Sequence, residues 1–478
     1  MQRADRRRWL ALYVLCGGML MIVLDATIVN VALPSIQHDL GFSQNNLSWV
    51  VNAYLIAFGG LLLLAGRVGD LIGRRRVFLI GLTVFTAASL LCAVAPSQGV
   101  LIAARFIQGA GGALTSAVVL GMIVTMFPEP RELAKALGVY GFVASAGGSI
   151  GLLAGGVLTE AISWHWIFLV NLPVGVLTAG LAIRFVGNDR GIGLRGGVDT
   201  AGAVLLTAGL MLGVYAILQI GHAGGTSLGL GALAIVLVVA CLIRQARIAN
   251  PLIPLRLLRS RVVGGANLAQ AFAVVGMFGV FFLGALYLQF VLGYGPLRVG
   301  LAFLPSTIAM GTMSLRWAGP LAARFGARAA VVAGLVVALA GVLLFARTPV
   351  HGDYLIDVLP SMVLLGLGAG LVFPTLATLA MSGATPSDSG LASGLVNTSV
   401  QVGGALGLAV LAAVAAGHTG TQLGQAQLSA LNGGFHLAHL VGAGCTAVAI
   451  MITVGMIRPV SEPEGIESTP DPVLAEAA

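Results

Sequence analysis

Long apolar segments separated by short polar ones recur along the whole chain. A helix needs about 20 mostly apolar residues to cross about 30 Å of hydrocarbon, and fourteen segments of roughly that length can be placed. They lie at residues 9–36, 47–66, 77–95, 99–126, 134–158, 163–185, 200–220, 227–247, 263–292, 297–318, 327–346, 355–381, 390–416 and 436–457. The pattern predicts an all-α integral membrane protein with fourteen transmembrane helices.

The basic residues test this count independently, because short cytoplasmic loops collect Lys and Arg. The chain has 25 of them. With the N-terminus inside, Arg298 and Arg347 fall outside, Arg105 lies within a span, and all the others are cytoplasmic. An even count places both termini in the cytoplasm. The basic residues behind the net charge of +8 are therefore explained by the orientation of the chain in the membrane, and we expect no nucleic-acid partner.

Composition supports a membrane protein. Hydrophobic residues make up 58% of the chain and charged residues 9%, against about 25% charged residues in soluble domains. The last residues, 459–478, are acidic and rich in Pro and Ser, which predicts a disordered cytoplasmic tail. His436 and His439 have no acid nearby and the four cysteines show no paired spacing, so we expect no metal site.

An internal repeat suggests two related halves. Glycines recur at the same intervals in 66–81 and 319–334, each at the cytoplasmic end of a span. Parallel repeats of this kind build a central site in many transporters, although coincidence is an alternative in a chain with 68 glycines. The repeat predicts a six-helix half at 1–197, two inserted helices at 198–248 and a second six-helix half at 249–458.

Four motifs together resemble the fourteen-span drug:proton antiporters of the major facilitator superfamily. They are LDATIVNVALPSI at 24–36, the loop at 66–76, WHWIFLVNLPVG at 164–175, and the fourth-span residues Arg105, Gln108, Gly109, Gly111 and Gly112. The resemblance implies the major facilitator fold and alternating-access export of lipophilic drugs or antibiotics across the plasma membrane. The proton gradient would supply the energy without a cofactor, and we expect a monomer in the lipid bilayer.

Asp25 is the only carboxylate that we place deep in the membrane. It lies nine residues from Pro34, which at about 1.5 Å per residue puts it roughly 14 Å from the outer end of its span. A carboxylate there costs several kcal/mol unless it is paired, hydrated or protonated. Asp25 is therefore the candidate proton carrier, with a helix-packing acid as the alternative.

Arg105 lies at a similar depth in span four. A pair with Asp25 would offset the burial of both charges, and protonation of Asp25 would weaken the pair. The resemblance implies that Arg105 takes part in proton coupling. A static structural ion pair is the alternative.

The resemblance also implies a gate in the loop after span two, where a charge network would hold the cytoplasmic side shut. The matching residues are Gly66, Asp70, Gly73, Arg74 and Arg75. Ala323 replaces the carboxylate in the second repeat, so only one half can make this contact. The alternative for the arginines is that they only follow the positive-inside rule for cytoplasmic loops.

Span five matches the antiporter motif through four glycines, Gly147, Gly151, Gly155 and Gly156. Such spacing lets helix backbones approach closely. Leu152 stands where the motif normally has proline, which removes the expected kink.

Seven amides within the spans are candidates for a substrate cavity or for ties between helices. They are Asn30, Gln108, Asn267, Gln270, Gln289, Asn397 and Gln401. Six aromatic residues of span nine, including Phe278, Phe281 and Phe282, are candidates for packing, lipid or substrate contact.

Two other functions remain open. A carrier for a native metabolite would share the fold, but the inserted helices and the first-span motif favour drug export. A membrane-embedded enzyme is disfavoured because H-E-x-x-H and phosphate-loop motifs are missing from the sequence. With one deep carboxylate, we expect neutral or singly charged lipophilic substrates and one proton exchanged per cycle.

Overall fold

A computed structural model describes residues 2–189, 191, 199–219, 225–248, 251, 259–382, 389–418 and 425–457. Regular structure in these ranges is helical throughout. This follows from the apolar sequence, because a lipid-exposed segment must satisfy its backbone hydrogen bonds internally. The proposed tail at 459–478 lies outside the described residues.

The first half contains six main helices and two single-turn helices, α2 (Gln44–Leu47) and α7 (Trp166–Leu169). The main helices are α1 (Gln2–Leu40), α3 (Trp49–Ile72), α4 (Arg74–Ala93), α5 (Gln98–Met126), α6 (Pro130–Ala161) and α8 (Asn171–Phe185). Helix α1 packs against α6 and α8, and α5 packs against α3 and α4. Hydrogen bonds tie the start of α1 to the ends of α5 and α8, which defines the N-terminal face of the bundle.

The second half repeats this arrangement. Its helices are α11 (Arg261–Leu286), α12 (Pro296–Thr312), the short α13 (Ala318–Phe325), α14 (Ala327–Phe345), α15 (Leu359–Met381), α16 (Ser389–His418) and α17 (Gln425–Met456). Short π-helical segments extend α11 and α12 and precede α15. The second main helix of each half packs against the fifth of the other, so α3 meets α16 and α12 meets α6.

The glycine repeat has a structural counterpart. Gly73 lies between α3 and α4 with φ +104°, and Gly326 lies between α13 and α14 with φ +84°. Both values fall where residues with a Cβ are strained. Each half therefore uses glycine at the same sharp reversal on the N-terminal face.

The inserted helices α9 (Thr200–Leu218) and α10 (Gly225–Arg247) form a hairpin beside the halves. Asp199 joins their ends, since its carboxylate accepts hydrogen bonds from Gly202 N at 2.9 Å, Arg244 Nε at 2.7 Å and Gln245 Nε2 at 2.6 Å. Helix α9 contacts both α3 and α16. It thus touches one helix of each half.

Twelve spans among the described residues are long and apolar enough to cross a membrane, compared with the fourteen that we predicted. The two differences lie at α6, whose apolar part is the shorter Ile150–Ala161, and at α12, which has 17 residues. The chain is therefore an all-helical, multi-pass membrane protein.

Candidate functional site

Asp25 of α1 and Arg105 of α5 form a buried ion pair in the first half. Arg105 Nη1 lies 2.6 Å from Asp25 Oδ2, and both side chains are 0% exposed. Removing two charges from water is costly unless they pair and gain further hydrogen bonds. The structure supplies such bonds on both residues.

Two amides complete the surroundings of the carboxylate. Asp25 Oδ1 accepts hydrogen bonds from Gln108 Nε2 at 2.7 Å and from Asn171 Nδ2 at 2.8 Å. The same two nitrogens donate to Ser89 Oγ, at 3.0 and 2.9 Å. We call these five residues, Asp25, Ser89, Arg105, Gln108 and Asn171, the carboxylate cluster.

The guanidinium of Arg105 has further partners. Its Nε donates to the carbonyl oxygen of Val50 at 2.9 Å, and Nη1 also donates to Gln108 Oε1 at 2.7 Å. Its central carbon lies 4.4 Å from the ring centroid of Tyr54, which adds a cation–π contact. A planar, forked cation suits this combination better than the point charge of lysine.

A central cavity lies between the halves. Its volume is about 200 Å³, which is below the roughly 300–1,000 Å³ of pockets that bury a whole drug-sized ligand, so in this state it has room for a small molecule or for part of a larger one. None of its described lining residues carries a charge. They are Val23, Ala26, Thr27, Asn30, Val51, Leu55, Gly148, Met277, Phe278, Phe281, Phe282, Thr307, Met310, Gln401 and Leu408.

Helix α1 contributes to both places. Ala26, Thr27 and Asn30 line the cavity, whereas Asp25 is fully buried in the carboxylate cluster. The only carboxylate that we placed deep in the membrane thus already has a counter-ion and does not line the cavity. The two sites are adjacent but separate.

Asn30 and Gln401 are the two candidate amides that line the cavity. Gln108 belongs to the carboxylate cluster instead. Gln289 donates to the carbonyl oxygen of Val31 at 2.9 Å and so ties α11 to α1. The remaining candidates, Asn267, Gln270 and Asn397, also lie outside the lining.

The glycines of α6 lie at close helix contacts. A Cβ on Gly147, Gly151 or Gly155 would meet α1, and one on Gly156 would meet the start of α12. Leu152 is buried, and its carbonyl oxygen faces Gly300 of α12. Helix α6 therefore packs on both halves without the proline.

The expected gate residues form a network within the first half. Asp70 pairs with Arg74 at 3.1 Å, and Arg74 Nη1 donates to the Gly121 carbonyl oxygen at 3.0 Å. Arg75 Nη2 donates to the carbonyl oxygen of Ile183. Gly73 is the reversal described above, and Gly66 lies near Ala117 of α5.

Three residues of these networks escaped the sequence analysis. Asp189 accepts hydrogen bonds from the backbone N–H groups of Arg74 and Arg75 at 2.7 and 3.1 Å, which caps α4. Asn171 lies inside the quoted motif at 164–175, so its place there was the available signal. Ser89 is one polar residue in an apolar run, and nothing in the sequence marked it as a functional residue.

The chain is similar to several proteins of one family. The sequence model described as Major Facilitator Superfamily matches residues 15–408. The puromycin resistance protein pur8 of Streptomyces alboniger is 40% identical over 463 residues, covering 95% of this chain and 90% of that protein. The cephamycin export protein CmcT of Amycolatopsis lactamdurans is 39% identical over 472 residues, covering 97% and 94%.

A solved structure shows the same fold. The crystal structure of the human organic anion transporter MFSD10 matches with a TM-score of 0.65 at 17% identity, covering 93% of this chain and 99% of that one. Together with the extensive sequence identity, this confirms the resemblance inferred from the motifs. The chain belongs to the major facilitator superfamily of membrane transporters.

Proposed function

We propose that the protein exports lipophilic drugs or antibiotics across the plasma membrane in exchange for protons, by alternating access. The observation that carries this proposal is the separation of a fully buried carboxylate cluster from an uncharged central cavity. Asp25 can exchange a proton in the first, while the second accommodates an apolar molecule. The printed functions of the relatives, puromycin resistance and cephamycin export, support the substrate class.

The cavity favours neutral substrates over cations. Asp25 is paired with Arg105, so a cation in the cavity would find no free carboxylate among the described lining residues, and an unpaired buried charge is costly. Exchange of one neutral molecule for one proton moves one positive charge inward. Both the pH gradient and the membrane potential then drive export, the latter by about 2.3 kcal/mol per 100 mV.

The test uses purified protein in liposomes with a pH-sensitive dye inside. Asp25→Asn preserves the shape of the side chain and removes its titration, so we expect substrate-dependent proton flux to disappear while the protein still folds. Wild-type flux from this variant would refute the carrier role. Imposing the pH gradient and the potential separately would test the charge balance.

Fourteen spans remain our proposal for the topology. Helix α6 has 32 residues, and α12 continues through a π-helical segment into α13, so both have the length to cross. The proposed units are 1–197, 198–248 and 249–458, with both termini in the cytoplasm. Membrane-impermeant labelling of single cysteines placed at the end of each helix tests this arrangement, and any two consecutive loops labelled from the same side would contradict it.

We further propose that the network around Asp70 and Arg74 stabilises the closed cytoplasmic gate of the outward-facing state. The i,i+4 pair joins the end of α3 to the start of α4, and hydrogen bonds from Arg74 and Arg75 join the start of α4 to α5 and α8. Asp70→Asn should change the distance distribution between spin labels across the N-terminal face more than it changes substrate affinity. An unchanged distribution would contradict the gate role.

A further inference from the structure

Ser89 of α4 makes three hydrogen bonds inside the carboxylate cluster and is 0% exposed. Its hydroxyl donates to the carbonyl oxygen of Phe168 at 3.1 Å. It accepts from Gln108 Nε2 at 3.0 Å and from Asn171 Nδ2 at 2.9 Å. A hydroxyl has one proton and two acceptor lone pairs, so these three bonds use its full capacity.

This arrangement fixes the direction of the amides. Because the Ser89 proton is used on Phe168, only an N–H can face Ser89 from Gln108 or Asn171. The NH2 group of each amide has a second proton, and in both cases it points at Asp25 Oδ1, at 2.7 and 2.8 Å. Ser89 makes no hydrogen bond to Asp25 in the described structure. By orienting the two amides, it nevertheless determines that the carboxylate is met by N–H donors.

We propose that Ser89 is a positioning residue for proton exchange, which holds both amides as donors to the ionised Asp25. The proposal rests on the proposed function, in which Asp25 carries the proton. Hydrogen bonds to a charged group are stronger than those to a neutral one. Two amides oriented in this way therefore stabilise the carboxylate form beyond the ion pair with Arg105.

Proton uptake then requires one of the groups held by Ser89 to rearrange. All three groups that bond to Asp25 are N–H donors, from Arg105, Gln108 and Asn171. A protonated carboxyl is itself a donor on one oxygen and finds no acceptor among these three. One amide must turn its oxygen towards Asp25 or be displaced.

An amide that turns over loses its N–H bond to Ser89. The hydroxyl can follow by rotating its proton away from Phe168, which releases the carbonyl oxygen of that residue. Phe168 belongs to α7, and Asn171 begins α8. The proton state of Asp25 is thereby linked to the backbone at the junction of these two helices.

The test compares Ser89→Ala with Ser89→Thr, which keeps the hydroxyl. Ser116→Ala is the matched control, because Ser116 is a buried serine of the same half whose Oγ lies 3.6 Å from Met19 Sδ, outside the cluster. Two quantities are measured in each protein. One is the pH at which proton-coupled flux is half-maximal, and the other is the infrared carboxyl band that Asp25→Asn removes.

We expect Ser89→Ala to move the half-maximal pH upward by about one unit, a tenfold change in proton affinity, and to shift the infrared band. Ser89→Thr should restore the wild-type values, and Ser116→Ala should leave both unchanged. If Ser89→Ala cannot be recovered folded, Ser89→Cys, with its weaker hydrogen bonds, should give a smaller shift in the same direction.

A folded Ser89→Ala or Ser89→Cys with the wild-type pH profile and band would overturn the proposal. A shift of the same size in Ser116→Ala would also overturn it, because the effect would then be general. Flux in Asp25→Asn would instead overturn the proposed function. Loss of flux in Asp25→Asn together with a normal Ser89→Ala would refute the role of Ser89 alone.

Discussion

Glu160 of α6 accepts a hydrogen bond from the backbone N–H of Leu297 at 2.9 Å, so a carboxylate of the first half caps the first turn of α12 in the second. A carboxylate at a helix N-terminus is favoured by the helix dipole. The contact lies on the face opposite the N-terminus, where Gly156 also meets Leu297. It joins the two halves on that face.

Glu160→Ala should make that face open more often, because the halves lose one hydrogen bond that exists only when they are together. We expect the open population to rise roughly threefold to tenfold. Spin labels near the ends of α6 and α12 would measure it. Glu160→Gln keeps an acceptor oxygen and should stay close to wild type, so an equal effect in both variants would contradict the capping role.

Arg105→Ala should abolish proton-coupled flux and destabilise the fold, because breaking a buried pair by removing one partner costs about 3–5 kcal/mol. Arg105→Lys should keep partial activity. Lysine supplies the positive charge, but it cannot make the bonds to Asp25, Gln108 and Val50 at the same time. Flux and thermal stability of both variants check this. Full flux in the alanine variant would make Arg105 a bystander.

Asn30→Asp should change the charge of the preferred substrate. The substitution keeps the shape of the side chain and adds a carboxylate to a cavity whose described lining is uncharged. We expect export of a monocation to increase and export of a neutral molecule of the same shape to fall. Asn30→Ala is the control, and a similar shift in that variant would show that charge is not the cause.

Gly155→Ala should lower stability, because its Cβ would lie 2.7 Å from the carbonyl oxygen of Ile28 in α1, and overpacking typically costs about 1–3 kcal/mol. Gly148→Ala, in the same helix, is the matched control, since a Cβ there meets nothing within 4 Å. Thermal unfolding in detergent would compare them. Equal melting temperatures would contradict the close packing of α6 on α1.

Asp199→Asn should loosen the inserted hairpin at neutral pH. Burial alone would raise the pKa of Asp199, but hydrogen bonds from Gly202, Arg244 and Gln245 outweigh it and lower that pKa below its ordinary value. The stabilisation is therefore fully present above the unfolded pKa of about 3.9 and is lost as the pH falls through the lower folded value. The difference in melting temperature between wild type and Asp199→Asn should be constant above about pH 4 and shrink as the pH falls from there through the lower folded pKa, and a pH-independent difference would contradict this.

The helical membrane fold and the family could be predicted because their signals are long and redundant. Apolar segments of about 20 residues repeat along the chain, and the positions of the arginines match them. Asp25 and Arg105 stood out because charges are rare within spans. Ser89 did not stand out, because the direction of a small neutral side chain depends on how the helices pack. For the same reason, the sequence could not show which of the seven candidate amides line the cavity and which form contacts between helices.

Helix α9 lies against α3 of the first half and α16 of the second, with Thr207 facing Gly60. A rotation of one half relative to the other cannot leave both contacts unchanged, so the hairpin must slide along at least one of its neighbours during each cycle. Among the described residues, the opposite contact between the halves, α6 against α12, has no inserted helix packed on it to the same extent. A relative movement of the halves would therefore shift an additional protein–protein contact on the α3–α16 side that the α6–α12 side does not have.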